Sequence, residues 1–168
     1  MTRYYLNGRA DFEEVVRLLT NAGYKVNCMD SVDALSKAGE ASLNIVCHEE
    51  LGLALAEYLH KIYGTEFIAP GLPYGCEGTK DWLLAIDEQL PAPNLDLVLE
   101  EIQAMDNYLN KKNSDMRILW DILAFDRILI AGPATTVQCM ANALRKEWLD
   151  TDELTLICQH KLKHNFCV

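Results

Sequence analysis

The chain has 168 residues, 50% of them apolar and 24% charged, with a net charge of -10. That is long enough for a well-packed core, and an acidic surface without a basic stripe of interleaved aromatics excludes a nucleic-acid-binding role. No apolar run reaches the roughly eighteen residues a membrane helix needs, and the first residues lack the pattern of a signal peptide, so a soluble cytoplasmic protein is expected. The six cysteines contain no Cys-X-X-Cys pair and are expected to be buried, metal-binding or catalytic rather than disulfide-bonded.

Taken in order, Tyr4, Tyr5 and Leu6 predict a short strand ending at Asn7-Gly8. Asp11 is then placed to cap a helix whose Phe12, Val15, Val16, Leu18 and Leu19 recur at helical spacing up to Gly23. Residues 24–28 read as a second strand, and Asp30 or Ser31 caps a short helix running to Gly39. Residues 42–47 form a third strand. Residues 48–63 carry the clearest helical pattern, with Leu51, Leu55, Leu59 and Ile62 on the face expected to be buried and Gly64 as the stop.

After a fourth strand at residues 66–68 comes a loop that no helix or central strand could accommodate. Gly71, Gly75 and Gly78 alternate with Pro70 and Pro73. Thr79 is expected to cap the following helix, with Leu83, Leu84 and Ile86 facing a core. A strand, a glycine-rich loop and a helix in that order place backbone N–H groups at the carboxyl edge of a sheet, where ligands bind.

From Asn94 the pattern predicts one long helix, or two broken near Asn113-Ser114. A strand at residues 127–131, a helix at residues 135–148 and a strand at residues 153–158 follow. Strands alternating with helices imply an α/β fold, Rossmann-like or flavodoxin-like, with a parallel sheet covered by helices on both faces. Three regions are expected: an α/β domain over residues 1–93, a helical connector over residues 94–126, and over residues 127–168 a β-α-β unit. That last unit either opens a further domain of a longer protein or adds its strand to the first sheet.

The glycines fit neither G-x-G-x-x-G nor a P-loop, and no nucleophile elbow or H-E-x-x-H helix is present. What the strand pattern does is bring Cys28, Cys47 with His48, and Cys76 to one carboxyl edge. Thiolate and imidazole are the ligands of iron–sulfur chemistry, although buried structural cysteines would produce the same pattern. Cys139 reads as a packed thiol within a helix. Cys158, His160, His164 and Cys167 offer zinc donors at a non-standard spacing. Tyr74 and Trp82 are expected to pack rather than stack on a ligand, and Glu49 and Glu50 to be solvated at a helix start.

Asn44-Ile-Val-Cys-His48 before an apolar helix, that helix ending in Ile-Tyr-Gly64, and Pro73-Tyr-Gly-Cys-Glu-Gly-Thr-Lys-Asp-Trp-Leu83 together resemble the nitrogenase component 1 type oxidoreductases. The resemblance begins near Asn7-Gly8 and continues through Ala85. Residues 127–144 are similar to the strand and helix that open the next domain. It implies subunits of three Rossmann-like domains enclosing a metallocluster or tetrapyrrole site, supplied with electrons by an ATP-dependent iron–sulfur reductase and paired with a homologous subunit. This chain resembles the middle domain and the start of the third, so catalysis by this chain alone is not expected.

By that resemblance, the position of the cofactor-ligating cysteine of the nitrogenase catalytic subunit falls on His48, with Cys47 beside it. The swapped order implies a divergent member with a different substrate. The resemblance makes Cys47 and His48 candidate metal ligands. Pro73, Gly75, Cys76, Gly78 and Thr79 become the candidate cofactor-binding loop, whose amides would hold polar or anionic groups. A non-catalytic cluster carrier or small-anion binder of the same fold is the alternative.

Overall fold

In the computed structural model, residues 2–29, 31–120, 128–148 and 154–159 are described. Helix α1 spans Thr2–Asn21, so the strand expected at Tyr4 to Leu6 is helical and Asn7-Gly8 does not interrupt it. One glycine costs a helix interior about 1 kcal/mol, which a helix anchored by the buried Val15, Leu18, Leu19 and Ala22 can sustain. The strand expected at residues 24–28 is also absent. A strand needs a ladder partner, and here the Tyr24 N–H donates back to the Leu19 carbonyl at 3.0 Å while its hydroxyl donates to the Leu90 carbonyl at 2.5 Å.

Ser31 caps α2 (Val32–Ser36) through the Ala34 N–H, and a single 3-10 turn, Ala38–Glu40, leads to strand β1 (Leu43–Ile45). Helix α3 covers Glu49–Tyr63 and stops at Gly64, which adopts φ 72°. Strand β2 (Glu66–Ile68) returns beside β1 in parallel, pairing Leu43 with Glu66 and Ile45 with Ile68. Helices α4 (Cys76–Gln89) and α5 (Leu95–Trp120) follow. The second is one continuous helix through Asn113-Ser114.

The main core lies between α1, α4 and α5, where Val15, Leu18, Leu19, Ala22, Trp82, Leu83, Ile86 and Val98 bury together with Leu43, Ile45 and Ile68 packed against them. Leu84, expected inward, is 37% exposed. The buried face of α3 is shifted from the expected one: Leu59 is buried as expected, together with Leu53 and Ala56, whereas Leu51 is 78%, Leu55 38% and Ile62 52% exposed.

Strand β3 (Ile128–Gly132), helix α6 (Ala134–Ala143), a wider π-helical turn Leu144–Trp148 and strand β4 (Leu154–Cys158) form the remainder. β3 pairs in parallel with β4, from Ile128 opposite Leu154 to Gly132 opposite Cys158. Among the described residues the two sheets stay separate. Helix α6, with Ala134, Thr135, Val137, Cys139, Ala141 and Ala143 buried, packs against β3 and β4 of its own sheet and against α3 and α4. The alternation of helices with parallel strands is an α/β, Rossmann-like arrangement. No helix among the described residues is long and apolar enough to cross a membrane.

Candidate functional site

Parallel pairing of β1 and β2 sends both carboxyl ends to one edge. Cys47 and His48 follow β1, and residues 69–75 follow β2. The third carboxyl end, that of β3, reaches the same place through Pro133 and Thr135. The Thr135 hydroxyl accepts a hydrogen bond from the Glu49 N–H at 3.1 Å and donates to the Glu50 carboxylate. The Thr135 N–H donates to the same carboxylate at 3.3 Å. Each of the two helices thus has its first amides satisfied by a side chain of the other, an exchange of capping groups between α3 and α6.

Glu49 and Glu50 are therefore not the solvated pair expected from the sequence. Glu49 is only 5% exposed. Burial pushes the Glu50 carboxyl up, but hydrogen bonds from the Thr135 hydroxyl, from Glu50's own backbone N–H and from that of Thr135 together outweigh it and hold the group below the usual carboxylate range.

The loop ends at Gly75, whose φ of 76° turns the chain into α4, so the helix starts at Cys76 and not at Thr79. Thr79 sits one turn inside, its hydroxyl donating to the Gly75 carbonyl at 2.6 Å and lying 3.1 Å from that of Pro73. The loop is further pinned by the Trp82 indole N–H on the Gly71 carbonyl at 3.0 Å and by the Tyr74 hydroxyl on Asp11 at 3.1 Å. Tyr74 and Trp82 are structural here, as the sequence suggests.

The N–H groups of Cys76, Glu77 and Gly78 converge on the carboxylate of Glu147 at 2.6, 2.9 and 3.3 Å. A side chain at position 75 would collide with that carboxylate, since a Cβ there would overlap Oε1. Sequence reasoning misses Glu147, which comes from the π-helical turn about seventy residues away and carries no local signal. Thr135 has a weak one, a hydroxyl residue opening a helix after Gly-Pro.

Cys47 is largely buried, and burial pushes its thiol up to about 11, with the Cys139 and Cys28 thiols adding to the effect. It is a protonated thiol at neutral pH, close to two others. Cys139 is buried, and its sulfur accepts from the Leu72 N–H at 3.4 Å. Cys76 is raised by burial and then by the Glu147 carboxylate beside it. His48 Nδ1 and Asn44 Nδ2 are buried with no hydrogen-bond partner among the described residues. Buried polar atoms of this kind, on Asn44 within β1 and on His48 just beyond it, call for a polar ligand or water. Cys158 is exposed on the outer strand, and the other candidate zinc donors, His160, His164 and Cys167, lie outside the described residues. Among the described residues no three His, Cys, Asp or Glu side chains gather as a metal shell.

The model of the family described as "Nitrogenase component 1 type Oxidoreductase" matches residues 2–146. Among curated proteins, a light-independent protochlorophyllide reductase subunit from Huperzia lucidula is 27% identical over 94% of this chain and 34% of its own length. The subunit of the same name from Pelodictyon phaeoclathratiforme is 29% identical over 83% of this chain and 28% of its own. This chain thus spans about a third of the length of these relatives. Among solved structures, a nitrogenase Cp1 structure determined at pH 6.5 superposes with a TM-score of 0.61 at 22% identity, over 89% of this chain and 29% of that one. With the family model covering most of its length, and with the strand, loop and helix order built above, the chain belongs to the nitrogenase component 1 type oxidoreductases.

Proposed function

We propose that this chain forms one wall of an interdomain cofactor or substrate site in a reductase of the nitrogenase component 1 type. Cys47, His48 and the loop from Pro73 through Gly75, Cys76 and Gly78 to Thr79 line that wall. The observation that carries the reading is the convergence of three strand ends on one edge, with unpartnered polar atoms at Asn44 and His48 among the described residues. The relatives named as protochlorophyllide reductase subunits favour a tetrapyrrole of that kind as the group facing it. In this reading electrons arrive from an ATP-dependent iron–sulfur reductase, a homologous subunit completes the assembly, and the protein works in the cytoplasm.

The described residues do not fit a metallocluster held by this chain alone, because among them no three His, Cys, Asp or Glu side chains gather as a ligand group. No reaction step therefore runs through a cluster on this chain. The part left to it is binding. His48 offers a ring nitrogen, the loop amides suit an oxygen-bearing substituent, and the buried thiols form an apolar floor.

Two measurements test this. In the assembled oxidoreductase, Cys47→Ala combined with His48→Ala should lower tetrapyrrole binding and turnover at least tenfold, and unchanged values would overturn the site. The 168-residue chain purified without oxygen should carry no stoichiometric iron or acid-labile sulfide. A broad visible charge-transfer band with both present would replace this reading with that of a cluster carrier.

A further inference from the structure

The unit β3-α6-β4 is held to the rest of the chain at the proposed site by two carboxylates, each seated on a helix N-terminus across the boundary. Glu147 of this unit accepts from the first three amides of α4 at 2.6, 2.9 and 3.3 Å. Glu50, on the other side, accepts from the amide and hydroxyl of Thr135 at the start of α6, while that hydroxyl accepts from Glu49. Thr135 has no exposed surface. An exposed pair, Lys146 with Asp81 at 3.1 Å, flanks the Glu147 contact.

Helix α6 also packs against α3 and α4, and its Cys139 sulfur accepts from the Leu72 N–H at 3.4 Å across the same boundary, so several directed hydrogen bonds cross it. Directed contacts of this kind are lost together when a rigid unit moves.

We propose that these two contacts form a coupled latch, in which Glu147 stands in for an incoming ligand oxyanion on the α4 amides and keeps the site shut until the β3-α6-β4 unit swings away. This rests on the reading of the loop as the ligand-binding element. Leaving one cradle strips the other, because both carboxylate contacts span the same boundary. Gly75 belongs to the device, since any side chain there occupies the place of the Glu147 carboxylate.

Amide hydrogen exchange on the full, ligand-free chain tests it. Glu147→Ala should speed exchange at least tenfold at Cys76, Glu77 and Gly78 and also at Glu49 and Thr135, with Val46, which donates to Ile68 between β1 and β2, unchanged. Thr135→Val should produce the reciprocal effect at Cys76 to Gly78. Glu147→Gln, which keeps one acceptor oxygen, should shift both sets in the same direction by less, and serves where the alanine variant folds poorly. Faster exchange confined to the altered contact, or an equal rise at Val46, overturns the latch. No ligand enters the measurement, so the latch can fail while the site reading stands, and the reverse.

Discussion

The core between α1, α4 and α5 and the boundary with the β3-α6-β4 unit are built on opposite physics. The first buries large side chains, Leu18, Trp82, Leu83, Ile86 and Val98 among them, and is non-directional. The second is crossed by hydrogen bonds aimed at helix ends. Apolar burial tolerates small displacements and resists separation, whereas a carboxylate on three amides is lost within an ångström or two. If the proposed site opens to a ligand, it would open at the second kind of contact.

This contrast can be broken or sharpened by substitution. Leu83→Ala should cost about 2–5 kcal/mol of unfolding free energy, with Leu83 only 1% exposed, read as a fall in urea midpoint; a loss below about 1 kcal/mol would mean the core is not the anchor. Thr135→Val removes the hydroxyl that accepts from the Glu49 N–H and donates to the Glu50 carboxylate, leaving the backbone N–H at position 135 on that carboxylate, and should cost about 1–3 kcal/mol. Its loss should be felt first in the β3-α6-β4 unit, so that probes in the two regions cease to melt together.

Acid should act at the boundary before the core. Glu50 has a folded pKa below its ordinary value of 4.5. Its contribution is therefore fully present above that value and is lost as pH falls through the lower folded one. Glu50→Gln should flatten the stability profile in that window, and an unaltered slope would show that the Thr135 contact does not matter there. The smallest effect is expected for Arg17→Ala. Arg17 bridges Glu14 and Glu101 at 2.7 Å on an exposed face, so its removal should cost about 0–1 kcal/mol.

Most of the elements are legible in the sequence because their ends carry chemical punctuation: Ser31 before α2, Gly64 after α3, and the glycines and prolines before α4. The absent strands at residues 4–6 and 24–28 are not, since apolar alternation shows a preference and says nothing about whether a ladder partner lies alongside. The buried face of α3 is hidden for a related reason. Both faces carry leucines, Leu51 and Leu55 on one and Leu53 on the other, and Gly52, where a Cβ would come within 3.1 Å of Val46, lets the helix settle closely on the second. The site is half visible. Its strand ends and its cradle follow from local sequence, while the groups that occupy the cradle come from far along the chain and leave no trace in any window.

That distance has a kinetic meaning. Glu50 and Thr135 are 85 residues apart, and Cys76 and Glu147 are 71 apart. Closing such loops carries an entropy penalty that only a nearly complete structure can offset. These contacts should therefore form after the barrier to folding has been crossed. Removing them would leave the folding rate almost untouched and speed unfolding instead, so the two carboxylates set how long the closed chain persists more than how quickly it is reached.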